Sequence, residues 1–188
     1  GTLFYDFNKM KWSEELAALG GIRPSVLPDL VAPWDVVGAV TAQAARDTGL
    51  AEGTPVVCGT SDSAAEDYGA GAIRPGQAIV KLATAGNFNV MTDRPHPDPR
   101  TLTYSHVIPG LGYTVSATNA AALCQRWLRG ILHPGCAGRD AYERMDAEAI
   151  RSPAGANGVM FHPYLQGERS PYWDANLRGS FTGLGIDS

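Results

Sequence analysis

The chain has 188 residues, 44% of them apolar and 18% charged, with a net charge of -4. That balance is globular rather than disordered, and the absence of a Lys/Arg-rich run disfavours both a nucleic-acid backbone and an anionic membrane surface as partners. No apolar stretch approaches the roughly 18 residues of a membrane span, and the first dozen residues lack the apolar region of a signal peptide. Three cysteines, Cys58, Cys124 and Cys136, form no CxxC pair, so neither a disulfide framework nor a zinc ribbon is expected, and reduced thiols in a cytoplasmic protein are the simplest reading.

In chain order, LFYDF alternates as a strand does, and Ser13 can cap a short helix, EELAAL, that Gly20 ends. Residues 22–38 carry three prolines and read as a surface loop. A helix over TAQAARDTGL is closed by Gly49, and PVVCG is predicted to be a buried strand from its β-branched content. It feeds TSDSAAEDYGAGA, which suits a helix with a close-packed face. Residues 77–83, 87–92 and 112–116 are predicted to be successive strands of a three-strand meander. A helix is expected at about 119–132, with Leu123, Trp127, Leu128 and Ile131 on one stripe. Another, about 140–150, shows Asp140 followed three residues later by Glu143, a capping-box spacing. GVMFHPYL reads as a strand and GERSPYWDANLRGSFTGLG as turn-rich. A boundary is placed at residues 74–76, where strand–helix patterning gives way to strands, and there is no internal repeat.

Three segments concentrate residues that can do chemistry. In CGTSDSAAEDYGAG (58–71) a strand ends in Gly59 and polar residues sit where a helix begins. Asp62 is thus at the carboxyl end of a strand, where open α/β sheets bind ligands; the competing reading is an Asp that merely caps the helix. In KLATAGNF (81–88) a strand, Thr-Ala-Gly and a second strand predict a hairpin. Its turn can offer a hydroxyl and backbone N–H groups to phosphate, or be an ordinary turn. FHPYLQGERSPYWD (161–174) packs His162, Tyr164, Glu168, Arg169 and Trp173 into one loop, either functional or stapled by pairing of its Glu and Arg. Ser61 and Ser63 lack the G-x-S-x-G elbow of a nucleophile. The four histidines show no metal-ligating spacing, and neither a Walker A nor a G-x-G-x-x-G pattern occurs.

Taken in order, these segments resemble a known family. TPVVCGTSDSAAEDYGAGAIRPGQAIVKLATAGN is similar to the stretch in FGGY carbohydrate kinases where GTPV leads through a strand and glycine turn to an Asp, an alanine-rich helix, PGxA and a G-T-S/A-G turn. GVMFHPYLQGERSPYWDANLRGSFTGL resembles the family's G-E-R-[ST]-P-x-W…RG-x-F-x-G-L signature. The upstream segment looks like the end of the family's N-terminal domain, and the style of the motifs is closer to the xylulokinase type than to glycerol kinases. The resemblance implies an α/β chain of the actin/Hsp70/ribonuclease-H-like two-domain kinase fold. Residues 1–75 would end the sugar-binding domain and 76–188 would begin the ATP-binding domain.

By the same resemblance, Asp62 takes the position of the proton acceptor and Ser63 that of a neighbouring substrate contact. Thr84 takes that of the threonine meeting ATP phosphates, with Gly86 in the same turn. Ala122 stands near ATP where relatives often carry glycine, and ATAGN replaces the usual G-T-S-G. The expected activity is ATP- and Mg2+-dependent phosphorylation of a sugar hydroxyl, that of a ketopentose such as xylulose, with no protein ligand set for a metal. The expected partners are the sugar and ATP, with a homodimer as the assembly to look for. Family members are much longer, so the chain reads as a central fragment, inactive by itself. The alternative reading is a non-catalytic assembly or interaction module on the same fold.

Overall fold

In the computed structural model, residues 3–135 and 138–186 are described. Strands β1 (Tyr5–Asp6) and β2 (Lys11–Trp12) form a short antiparallel hairpin, with Met10 at a positive φ of 52° in its turn. The strand expected over LFYDF is thus only two residues long. Ser13 caps α1 (Glu14–Leu19) by accepting the Leu16 N–H, as its residue type predicts. The segment read as loop does begin irregularly, with a 3-10 turn at Pro24–Val26, but ends in a strand, β3 (Val36–Ala39). The prolines stop at Pro33; the β-branched pair Val36 and Val37 beyond them is free to donate to a ladder.

Helix α2 (Ala42–Thr48) is capped by Thr41 and closed by Gly49 in the left-handed conformation. Strand β4 (Pro55–Val57) pairs antiparallel with β3, with a register shift between Val36 and Gly38. The expectation that β4 is buried is not met. Val56 is 42% and Val57 55% exposed, because no described element covers this two-stranded ribbon on either face. Helix α3 (Asp62–Gly69) follows directly.

Strands β5 (Ala78–Leu82), β6 (Gly86–Thr92), β7 (Leu102–Ser105) and β8 (Gly112–Thr118) form one sheet in the order β5-β6-β8-β7. The three expected strands are present; β7, from the alternating TLTYS, makes a fourth that the sequence reading does not include. Helix α4 spans Ala122–Leu132, three residues shorter at its start than expected. Of its predicted stripe, Leu123 and Leu128 are half-buried, and Trp127 stacks on Phe161 at 6.0 Å between ring centroids.

Helix α5 (Arg139–Ala149) buries Ala141 and Met145. It contradicts the capping box: Gly138 is the N-cap, Asp140 is already in the first turn, and Glu143 accepts from the Arg139 guanidinium at 2.8 Å. A charged partner one turn away outcompetes the backbone N–H for that carboxylate. Strands β9 (Met160–His162) and β10 (Ser180–Thr182) pair antiparallel, so the turn-rich segment also closes a small ribbon.

The chain divides into two compact units. The first comprises residues 1–77, 91–96 and 104–113, and its interior includes Ala17, Ala64, Asp67, Ala72, Met91, His106, Leu111 and Tyr113. The second comprises residues 78–90, 97–103 and 114–188, with Val115, Ala117, Ala120, Ala141, Met145, Glu168 and Ser170 inside. Cys58 and Cys124 are free thiols, and Cys136 lies outside the described residues. Among the described residues no helix is long and apolar enough to cross a membrane.

Candidate active site

In the first unit the site is built on the exit from β4. The Cys58 N–H donates to the Asp35 carbonyl and the Gly59 N–H to that of Pro33, tying the loop to the approach to β3. Gly59 has φ +75°, a conformation that other residues rarely adopt. Ser61 is the N-cap of α3; its hydroxyl accepts the Ala64 N–H at 3.4 Å. Asp62 is therefore the first helical residue, and the N-cap is Ser61. Its Oδ1 accepts the Ser63 N–H at 2.7 Å and its side chain is exposed. Ser63 beside it is half-buried.

The inner face of α3 carries Ala64 and, three residues on, Asp67, which is only 1% exposed. Its charge reaches two rings, His106 and Tyr113. Tyr113 stacks on Tyr104 at 5.4 Å, and His106 meets Tyr113 edge-on at 6.3 Å. Burial pushes the Tyr113 phenol up to about 12; the nearby Ser61 side chain opposes that shift, and the Asp67, Tyr104 and Asp62 charges add to it. His106 Nδ1 accepts the Ile108 N–H at 3.0 Å, which leaves the proton of the neutral ring on Nε2. Burial holds this imidazole below its ordinary value against the pull of Asp67. Sequence reasoning missed Asp67, His106 and Tyr113. Only the inward spacing of Ala64 and Asp67 on α3 could have pointed to the first.

In the second unit, the structure brings together Thr84, Gly86 and Ala122. The hairpin between β5 and β6 closes with the Ala83 N–H donating to the Ala85 carbonyl. The Thr84 carbonyl accepts the N–H groups of Ala121 (2.9 Å) and Leu123 (3.3 Å), and the Ala83 carbonyl that of Ala122 (2.9 Å). These carbonyls do for α4 what a side-chain cap does elsewhere, since Ala121 at the N-cap has no side-chain acceptor. A Cβ on Gly86 would stand 3.1 Å from both Ala121 Cβ and Thr118 Cγ2. The glycine is thus required for close approach of the α4 start to the hairpin. The Thr84 side chain is exposed.

The third segment is stapled. The Glu168 carboxylate, 5% exposed, accepts from the Thr118 hydroxyl (2.6 Å), the Asn119 N–H (3.1 Å) and the Arg169 N–H (2.7 Å). Arg169 donates to the Thr118 carbonyl at 3.2 Å, and the Trp173 indole to that of Pro99 at 2.8 Å. Pairing of its Glu and Arg with neighbours is what holds this loop.

A concavity of about 240 Å³ in the second unit is lined by residues including Leu82, Gly86, Phe88, Thr118, Ala121 and Ser170. That is below the roughly 300–1,000 Å³ of small-molecule sites. A larger one, about 560 Å³, near Pro153, Gly158 and Met160 contains no candidate residue. Among the described residues there is no group of three or more His, Cys, Asp or Glu side chains able to hold a metal ion.

Comparison with known proteins decides the family. The pattern of the FGGY family of carbohydrate kinases, N-terminal domain, matches residues 1–69, and that of its C-terminal domain matches residues 78–188. The chain belongs to the FGGY family of carbohydrate kinases. It is 30% identical over 182 residues to the gluconokinase of Bacillus subtilis (strain 168), covering 93% of this chain and 36% of that protein. It is 30% identical over 191 residues to the xylulose kinase of Lactococcus lactis subsp. lactis (strain IL1403), covering 98% and 36%. Among solved structures, the xylulose kinase from Rhodospirillum rubrum superposes with a TM-score of 0.88 at 37% identity, covering 98% of this chain and 37% of that one. The gluconate kinase from Lactobacillus acidophilus gives 0.87 at 27% identity, covering 97% and 37%. The chain thus has the actin/Hsp70/ribonuclease-H-like fold of the FGGY kinases and spans about 36% of the length of the curated relatives it matches.

Proposed function

We propose that the protein, taken as its gene encodes it, transfers the γ-phosphoryl group of ATP to a sugar hydroxyl, with Asp62 as general base. The observation that carries this reading is the Asp62 carboxylate: it sits just beyond the β4 end, exposed, at the first position of α3, with Ser61 as the N-cap. A sugar hydroxyl is a weak nucleophile. As its oxygen bonds to the γ-phosphorus, its proton passes to the Asp62 carboxylate, the bond from phosphorus to the bridging oxygen breaks, and ADP leaves. Ser63 would contact the same sugar. Thr84 would hold ATP phosphates through its hydroxyl, on a hairpin braced by Gly86 and Ala122.

Magnesium keeps several waters and is bound by phosphate oxygens with one or two carboxylates. An ion that arrives on the nucleotide, held by its phosphates and water, needs no protein ligand set. Bound there, it would neutralise charge on the phosphates.

Residues 1–75 are assigned as the end of the sugar-binding domain and 76–188 as the start of the ATP-binding domain. This division is supported by the two family matches, which stop at residue 69 and resume at 78. A ketopentose such as xylulose is the favoured substrate, supported by the relatives named xylulose kinase, with gluconate the main contender. A cytoplasmic setting and a homodimer complete the reading, the latter supported by the exposed apolar side chains of Leu3 and Phe181. The test is sugar-dependent ADP release with MgATP and, separately, D-xylulose, D-ribulose, D-gluconate and glycerol. Turnover with one of the first three supports the proposal; no sugar-dependent release with any of the four contradicts it.

A further inference from the structure

We propose that Glu168 is a positioning residue for the ATP-phosphate turn, a claim that rests on reading the Thr84 hairpin as that turn. A buried carboxylate needs partners, and a cation is the usual one. Glu168 instead gathers three neutral donors: the Thr118 hydroxyl and the Asn119 N–H at the end of β8, and the Arg169 N–H of its own loop. Charge-assisted hydrogen bonds of this kind are the strong ones. They fix the point where β8 gives way to the start of α4.

From that point the connection to Thr84 is continuous. Asn119 and Ala120 lead into Ala121, Ala122 and Leu123, whose N–H groups end on the carbonyls of Ala83 and Thr84. The Thr118 methyl and the Ala121 Cβ are also the two atoms against which Gly86 packs. Glu168 therefore holds both groups that define the height and tilt of the hairpin: the helix start that binds its carbonyls and the threonine under its glycine. The loop around it is anchored independently, by the two backbone bonds between Glu168 and Asp174 and by the Ser170 hydroxyl on the Arg100 carbonyl. The carboxylate thereby presents a fixed acceptor surface to Thr118 and Asn119.

Replacement by alanine removes all three bonds, whereas glutamine keeps an oxygen for the two N–H groups, and the Thr118 hydroxyl can rotate to accept from its amide. The experiment uses the protein as its gene encodes it and measures the Kd of Mg·AMP-PNP by isothermal titration, beside that of D-xylulose, or of D-gluconate if xylulose does not bind. Expected are a rise of about tenfold or more in the nucleotide Kd for Glu168→Ala, with sugar affinity held within about twofold. Glu168→Gln recovers most of the loss, and Thr118→Val reproduces part of it without adding to Glu168→Ala. An unchanged nucleotide Kd in folded Glu168→Ala, or equal weakening of both ligands, overturns the proposal. If Glu168→Ala does not fold, Thr118→Val takes its place: selective weakening of the nucleotide supports the proposal, and an unchanged nucleotide Kd or equal weakening of both ligands overturns it. Thr84→Val separates the two layers. If it leaves the nucleotide Kd unchanged, the phosphate-turn reading fails. If it weakens nucleotide binding while Glu168→Ala does not, only the positioning role fails.

Discussion

The Ser61 hydroxyl accepts the Ala64 N–H, and Asp62, the next residue, opens helix α3 with its carboxylate exposed. Of two neighbouring side chains able to cap, Ser61 takes the N-cap position. Ser61→Ala removes the cap. It is expected to lower unfolding free energy by about 1 kcal/mol or somewhat more, read as a shift in the urea midpoint without a change in slope. No loss would mean that Asp62 can take over the cap, and would weaken its assignment as a free base.

Gly86 makes a separate, steric prediction. The Cβ of Gly86→Ala would press on Ala121 and Thr118 at 3.1 Å, and neither can retreat easily. The first is tied to the Thr84 carbonyl and the second to Glu168. Overpacking against such fixed neighbours costs about 1–3 kcal/mol. The substitution is expected to lower the thermal midpoint accordingly; a midpoint within error of the parent would show that the α4 start slides freely over the hairpin.

Much of the fold is legible in the residues. Ser13, Thr41 and Gly49 mark helix ends because caps are local chemistry, and the strand–turn–helix run into Asp62 follows from composition alone. The failures are cases where a distant partner decides the matter. The capping-box spacing of Asp140 and Glu143 is overridden by Arg139. β3 is obscured by the prolines before it, and β7, though TLTYS alternates as a strand does, is too short to stand out beside the loop that precedes it. The assembly of Asp67, His106 and Tyr113 joins a helix to a hairpin far along the chain, and no local period encodes it. Glu168 is visible as a polar residue in a busy loop; its grip on Thr118 and Asn119 is not.

That buried assembly makes stability pH-dependent at both ends. The His106 imidazole lies below its ordinary 6.5, so the unfolded chain takes up this proton more readily than the folded one. Its contribution is complete above about 6.5 and is lost as pH falls through the folded value. Tyr113 is the reverse: raised from 10.0 to about 12, its contribution is complete below 10 and is lost as pH rises toward about 12. The thermal midpoint should therefore fall between about pH 7 and pH 5. His106→Asn, which keeps an acceptor for the Ile108 N–H, should flatten that slope. An unchanged slope in the variant would assign the acid loss to other groups.

The most direct measurement on Asp62 as the base is turnover of Asp62→Asn in the protein as its gene encodes it, with MgATP and the sugar that supports wild-type activity. Asparagine keeps the size of the side chain and its acceptor oxygen but cannot take a proton at neutral pH. The expected result is a fall in kcat of about 10²–10⁴-fold. The sugar Kd and the thermal midpoint should stay close to the parent values, since Ser61 is the N-cap, the asparagine oxygen can still accept the Ser63 N–H, and the side chain is exposed. A variant that keeps near-parental turnover would contradict the assignment of Asp62 as the base.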